Sequence, residues 1–207
     1  MKYDLKQMFA TPVWTFDLSE DDKYLVKSIE MDGSNFSRFI DKQKQIDGDK
    51  FDIYQHDFLD FNGYGISKLK EKILEAVEVV KKDSGWPEFT PTIKTKQSVL
   101  YPNEWDTPHT HFGAELVGVF YVTIPENSGS IMLCDPRGHV DIPWHDKHLA
   151  ADKWGRPGRT FYEIKPKPGM LILFPNYVIH STEPNLSDEN RICIVMNIRV
   201  RNDTGSV

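Results

Sequence analysis

Cysteine is almost missing from this chain. Only Cys134 and Cys193 occur among 207 residues. Two are too few for a disulfide framework, so an ordinary core must hold the fold, and both read as buried free thiols of a reducing, cytoplasmic setting. Long apolar runs are missing too. Nothing approaches the roughly 20 residues that span a bilayer, and the charged start Met1-Lys2-Tyr3-Asp4-Leu5-Lys6 lacks the apolar stretch of a secretory signal. A basic surplus is absent: the formal net charge is -6. The field of the whole chain therefore repels nucleic acid and anionic membrane, and neither is an expected partner. Internal repeats, low-complexity tracts and linkers are also lacking, so a single domain over 1–207 is expected.

What is present concentrates in Pro108-His109-Thr110-His111-Phe112-Gly113-Ala114-Glu115. In extended chain alternate residues point the same way, so His109 and His111 can aim at one point. His180 lies further on, in the run from Gly169 to Arg191. Two imidazoles from the first stretch, one from His180, and an oxygen from Glu115 or water make a first-row metal site, with Fe(II) the favoured ion. Three protein ligands on one face of an octahedron leave positions for a cosubstrate and O2. Arg191 can bind a carboxylate bidentately, and Tyr121 can add a hydrogen bond to the same group. Arg191 is expected to open a strand running antiparallel to the one that carries His180.

The surrounding pattern predicts the scaffold. Met8–Asp17 reads as an opening edge strand, and the edge near Trp14 is a place where a second copy could pair to give a homodimer. Ser19-Glu20-Asp21-Asp22 reads as a helix start. A short helix follows through Tyr24, Leu25, Ile29 and Met31, and then loop from Gly33 to Lys50 with at most one helical turn. Phe51–Phe61 is expected at the core edge. Ser67–Ser84 is a clear amphipathic helix, with Leu69, Ile73, Ala76, Val77 and Val80 on one stripe, Ser67 as cap and Gly85 as stop.

From Thr92 the period becomes two. Strands are predicted at Ile93–Tyr101, Glu115–Ile124, Ser130–Cys134, Thr160–Ile164, Gly169–Phe174, Val178–Ser181 and Arg191–Arg201. Many short strands with Pro, Gly and Asn between them indicate a mainly β fold with flanking helices. The expected form is a double-stranded β-helix, or jelly roll, over 92–201, with the strand and helices of residues 1–91 packed outside. Asp135–Arg159 interrupts the pattern and reads as a lid-like loop at the barrel mouth. Arg137, Trp144, Trp154 and Arg156 are its candidate substrate contacts, and the pair His145 and His148 there has too few neighbours for a second metal site.

Pro108-His-Thr-His111, Leu116-Val-Gly-Val-Phe-Tyr-Val122, Asp135-Pro-Arg137, Lys167-Pro-Gly-Met-Leu-Ile-Leu-Phe-Pro175, His180-Ser-Thr-Glu-Pro-Asn185, Arg191 and Asn197 follow in that order. This set resembles the 2-oxoglutarate/Fe(II)-dependent dioxygenases, especially a group of oxygenases common in marine bacteria and their phages. The resemblance covers roughly residues 95 to 200. It implies a double-stranded β-helix and a hydroxylase that decarboxylates 2-oxoglutarate oxidatively to succinate with O2. The substrate is expected to be a small molecule or a peptide side chain.

By the same resemblance His109 and His180 match two iron ligands, Arg191 matches the arginine that holds the distal carboxylate of 2-oxoglutarate, and Tyr121 and Asn197 fall among the cofactor-binding positions. The family places a carboxylate where His111 stands, which leaves His111 or Glu115 as the third ligand. Cys193 stands where a serine often assists the arginine. The rival reading is a cupin that binds metal without 2-oxoglutarate. His109-x-His111-x3-Glu115 reproduces the core of a first cupin motif, but Tyr177 stands where the second motif has glycine.

Overall fold

The computed structural model describes residues 10–19, 22–50, 56–136 and 161–200. Among the described residues are eight strands and two long helices: β1 (Trp14–Asp17), α1 (Leu25–Asp47), α2 (Tyr64–Ser84), β2 (Thr92–Leu100), β3 (Leu116–Thr123), β4 (Ile131–Cys134), β5 (Phe161–Ile164), β6 (Met170–Pro175), β7 (His180–Thr182) and β8 (Arg191–Arg199). They form two antiparallel sheets, ordered β1-β6-β3-β8-β2 and β5-β4-β7. Among the described residues no helix is long and apolar enough to cross a membrane.

The period of two dictates the layering. Along β3, Leu116, Phe120 and Val122 face the helices, while Val117, Val119 and Tyr121 face the smaller sheet. The same alternation runs through β6, with Leu171 and Leu173 on the helix side and Ile172 and Phe174 on the other. Both faces of the central strands are therefore covered, which is why they read as nearly unbroken apolar runs. Gly118 is required where it stands: a Cβ there would meet the Met196 side chain at 2.5 Å and Leu173 at 2.8 Å. The result is the expected double-stranded β-helix with helices outside it.

The N-terminal region departs from expectation. α1 runs unbroken to Asp47, through the stretch expected to be loop. Its buried residues Leu25, Ile29, Gly33, Phe36 and Ile40 form one helical stripe that continues past Gly33. Gly33 packs against Gln97 and Phe58, and Phe36 meets Phe58 edge-on at 5.2 Å. Tertiary burial thus overrides the weak helix propensity of the Gly, Ser and Asn residues there. The start lies at Leu25 rather than at Ser19–Asp22, with Asp22 Oδ1 accepting the Tyr24 N–H at 2.9 Å.

Helix α2 begins at Tyr64, so Ser67 is inside it and its hydroxyl donates back to Gly63 O at 2.9 Å. The capping group comes from the other helix: Asp32 Oδ2 accepts the Ile66 N–H at 3.1 Å. Gly85 ends α2 in the left-handed conformation, as predicted. β1 is an edge strand, and the Trp14 indole donates to Asp83 on α2 at 3.1 Å.

One cross-strand row positions the chemistry. Tyr162 on β5 stands opposite Leu133 on β4, and Leu133 opposite His180 on β7. His180 in turn forms an antiparallel bridge to His109. Directly opposed residues share a face, so His180 lies on the side of Leu133, which is buried in the barrel core. Arg191 opens β8 in the larger sheet, across the barrel from β7. β8 pairs antiparallel with β2 and β3, so Arg191 stands in the sheet opposite the one that carries His180.

Candidate metal centre

Two backbone hydrogen bonds of 3.0 Å, exchanged between His109 and His180, fix both histidines at the open end of the smaller sheet. His111 lies in the turn that follows, with its carbonyl accepting from Asn176 Nδ2 at 3.3 Å. The ring centroids are 4.4 Å apart for His109 and His180, 5.2 Å for His109 and His111, and 5.1 Å for His111 and His180. One ring nitrogen from each lies within 4.8 Å of those of the other two.

The outer hydrogen bonds decide which nitrogens these are. Nδ1 of His109 meets Thr107 O at 2.7 Å, Nδ1 of His180 meets Val178 O at 3.1 Å, and Nδ1 of His111 meets Asn197 Oδ1 at 2.6 Å. A carbonyl oxygen only accepts, so each Nδ1 carries the hydrogen and each Nε2 keeps a lone pair. The three lone pairs turn toward one another without a donor between them, and His111 Nε2 is buried with no hydrogen-bond partner. Such an arrangement is unfavourable until a cation fills it. Three imidazoles with their outer N–H groups held by oxygens fit a first-row divalent metal, iron included. Burial lowers the His111 pKa below its ordinary value and that of His180 to about 4. Both rings are therefore neutral at pH 7, the form that a metal needs.

The structure corrects two assignments. Glu115 is not at the cluster; its Oε2 accepts the Val200 N–H at 3.0 Å at the end of β8. Asn197 is not among the residues that line the cavity; its amide oxygen accepts from His111 Nδ1 at 2.6 Å instead. Its role in orienting a ligand had no signal in the sequence, because β8 reaches His111 only through the closure of the barrel.

Arg191 and Tyr121 do come together, below the histidines. The Arg191 guanidinium lies over the Tyr121 ring, 5.6 Å from its centroid. Arg191 is 2% exposed and Tyr121 is fully buried. Arg191 Nη1 donates to the carbonyls of Ser128 and Gly129 at 3.3 Å each, while Arg191 Nε and the Tyr121 hydroxyl have no partner. Gly129 presents its carbonyl in a turn with φ +83°, where a Cβ would meet Glu183 O at 2.6 Å. Among the described residues no carboxylate stands within ion-pair distance of Arg191. Burial also raises the Tyr121 hydroxyl above its ordinary range and the Cys193 thiol to about 11, so neither supplies a counter-charge.

A cavity of about 40 Å³ joins the histidines to Arg191, with Val119, Ile131 and Val195 as apolar walls. Asp106 also lines it and was not singled out from the sequence. Arg137, Trp144, Trp154, Arg156 and the histidines of the expected lid lie outside the described residues.

Residues 97–197 match a family model described as "Putative 2OG-Fe(II) oxygenase". No curated protein sequence matches the chain. Among solved structures, a prolyl-4-hydroxylase from Pseudomonas putida is similar, with a TM-score of 0.56 at 12% identity, over 93% of this chain and 89% of that one. AviO1 from Streptomyces viridochromogenes Tue57 aligns with a TM-score of 0.46 at 13% identity, over 70% of this chain and 63% of that one. The epimerase SnoN, solved with Fe3+, alpha-ketoglutarate and nogalamycin RO, aligns with a TM-score of 0.41 at 17% identity, over 58% of this chain and 53% of that one.

Proposed function

Residues 97–197 belong to the 2OG-Fe(II) oxygenase family, and from that premise we propose that His109, His111 and His180 hold the iron while Arg191 and Tyr121 bind the far carboxylate of 2-oxoglutarate. The buried guanidinium, with no carboxylate of the described residues within ion-pair distance, carries this reading. A cation so placed is costly unless an anion joins it, and the cavity leads from it to the histidines. A carboxylate entering there meets two donors that lack partners, Arg191 Nε and the Tyr121 hydroxyl.

Iron bound at the histidines supplies the oxidative decarboxylation of 2-oxoglutarate with O2, giving succinate, and the coupled hydroxylation of a substrate. The protein's own residues do the rest. The carbonyls of Thr107 and Val178 and the amide of Asn197 keep the three imidazoles in the tautomer that offers Nε2. Arg191 fixes the cosubstrate in one orientation. Val119, Ile131 and Val195 exclude water around it. Cys193 replaces a hydroxyl with a neutral thiol and adds no charge beside Arg191.

The substrate in this reading is a small molecule or a peptide side chain, and the free thiols Cys134 and Cys193 support a cytoplasmic location. Calorimetric titration tests the site. With Fe(II) or an inert substitute such as Zn(II) bound, 2-oxoglutarate should bind once per chain, and an analogue without the far carboxylate should bind at least tenfold more weakly. Equal affinity for the two would remove Arg191 from the role given to it.

A further inference from the structure

The cavity holds a second charge that oxidative decarboxylation of 2-oxoglutarate does not use. Asp106 lines it beside His109, His111 and His180, an anion in the same space that Arg191 lines as a cation. Its backbone is pinned: Asp106 N–H donates to the Thr182 hydroxyl at 2.7 Å, and Asp106 O accepts the Thr182 N–H at 3.1 Å. Thr182 is on β7, two residues from His180, so Asp106 is held on the same rigid edge as the ligands.

Three observations define what this carboxylate is free to do. It is half-buried, and neither a hydrogen bond nor an ion pair engages its side-chain oxygens among the described residues. It does not belong to the group of ligand atoms within 4.8 Å of one another, so it is not a fourth member of that cluster. It lines one cavity together with His111, which follows His109 closely, and with Cys193 on β8 across the barrel.

We infer that Asp106 is the substrate-recognition residue, and that the substrate carries a cationic group, an ammonium or a guanidinium, near the carbon presented to the metal. This rests on the oxygenase reading and adds the chemical class of its substrate. 2-Oxoglutarate is a dianion whose far end is held by Arg191, so a lone carboxylate elsewhere in the cavity works against a second anion and for a cation.

The test uses the full chain loaded with Zn(II) and 2-oxoglutarate, which binds without turning over, and four probes: the Nα-acetyl methylamides of lysine, arginine, leucine and glutamate. Calorimetry should show the lysine or arginine probe binding at least tenfold more tightly than the leucine probe, with no binding of the glutamate probe. Asp106→Asn should remove that preference, and Asp106→Lys should turn it toward glutamate. In parallel, with Fe(II) under air, the preferred probe should raise succinate formation several-fold over the level without probe.

Equal binding of charged and neutral probes, or a cation preference that survives in both variants, overturns the inference. So does cation binding that leaves succinate formation unchanged. If 2-oxoglutarate itself fails to bind and no succinate forms, the oxygenase reading falls, and this inference falls with it.

Discussion

The guanidinium of Arg191 lies 5.6 Å from the centre of the Tyr121 ring, and Arg191 Nε and the Tyr121 hydroxyl both lack a hydrogen-bond partner. Two donors, buried side by side with no acceptor, suit a carboxylate as ligand. If the pair binds 2-oxoglutarate as proposed, it is worth more to the complex than to the free protein, and this has a consequence for stability. Arg191→Met should leave the protein without 2-oxoglutarate as stable as the parent or more so, by about 1–3 kcal/mol, since it removes an uncompensated buried charge. The same variant should bind 2-oxoglutarate about 100-fold more weakly, or about 3 kcal/mol, with metal affinity nearly unchanged. Urea unfolding with and without 2-oxoglutarate measures both effects. A variant that loses stability without ligand and keeps its 2-oxoglutarate affinity contradicts the assignment.

In the proposed site Asn197 would act on the metal through His111. Its Oδ1 receives the Nδ1–H of His111 at 2.6 Å and so keeps Nε2 free for the ion. Asn197→Ala should lower Zn(II) or Fe(II) affinity by about 10–100-fold. Asn197→Asp keeps an acceptor at that place and should restore most of it. Calorimetry of metal binding separates this from a general loss of folding, which circular dichroism would report.

His180 should make the metal-free protein sensitive to acid. Its pKa is about 4 in the fold, chiefly through burial, against an ordinary 6.5. The unfolded chain therefore binds the proton more readily, and stability rises with pH. The contribution is fully present above about pH 6.5 and is lost as pH falls toward 4, on the order of 3 kcal/mol in all. His111 shifts in the same direction. Urea unfolding in the presence of a chelator, for the parent and for His180→Phe, should show a steeper loss in the parent across pH 6.5 to 4. Parallel pH profiles would contradict the origin given for the shift.

Asp57 is a test of the scaffold alone. Its carboxylate accepts the Leu59 N–H at 3.0 Å and the Thr95 N–H at 3.0 Å, and it also accepts from the Thr95 hydroxyl. Asp57→Ala leaves these donors at a largely buried joint between the α2 approach and β2, and should cost about 2–4 kcal/mol. Thermal unfolding would show it. A change in melting temperature too small to resolve would mean that water replaces the carboxylate.

The strands were legible because the barrel covers both faces of its central strands, so Leu116–Thr123 and Met170–Pro175 carry a local signal of their own. The metal pair His109 and His111 was legible as two like residues at strand spacing. The choice between His111 and Glu115 was not. Glu115 is drawn away by Val200, 85 positions later, and no local pattern reports such a partner. Helix α1 was misread because Gly33, Ser34 and Asn35 interrupt its surface, while the stripe from Leu25 to Ile40 becomes meaningful only against Phe58 and Gln97. Asp106 and Asn197 are single polar residues without periodicity. Barrel closure alone brings Asn197 to His111, whereas Asp106 stands three residues before His109 and is held there by Thr182.

The central claim is one iron and one 2-oxoglutarate in the same cavity, and anaerobic titration tests it most directly. Fe(II) added to the metal-free protein should bind once per chain. 2-Oxoglutarate added next should produce a weak visible charge-transfer band that saturates at one equivalent, and admitting air should discharge it with formation of succinate. His180→Ala should give neither band nor succinate. A parent protein that binds Fe(II) yet shows no band with 2-oxoglutarate and forms no succinate in air would contradict the account.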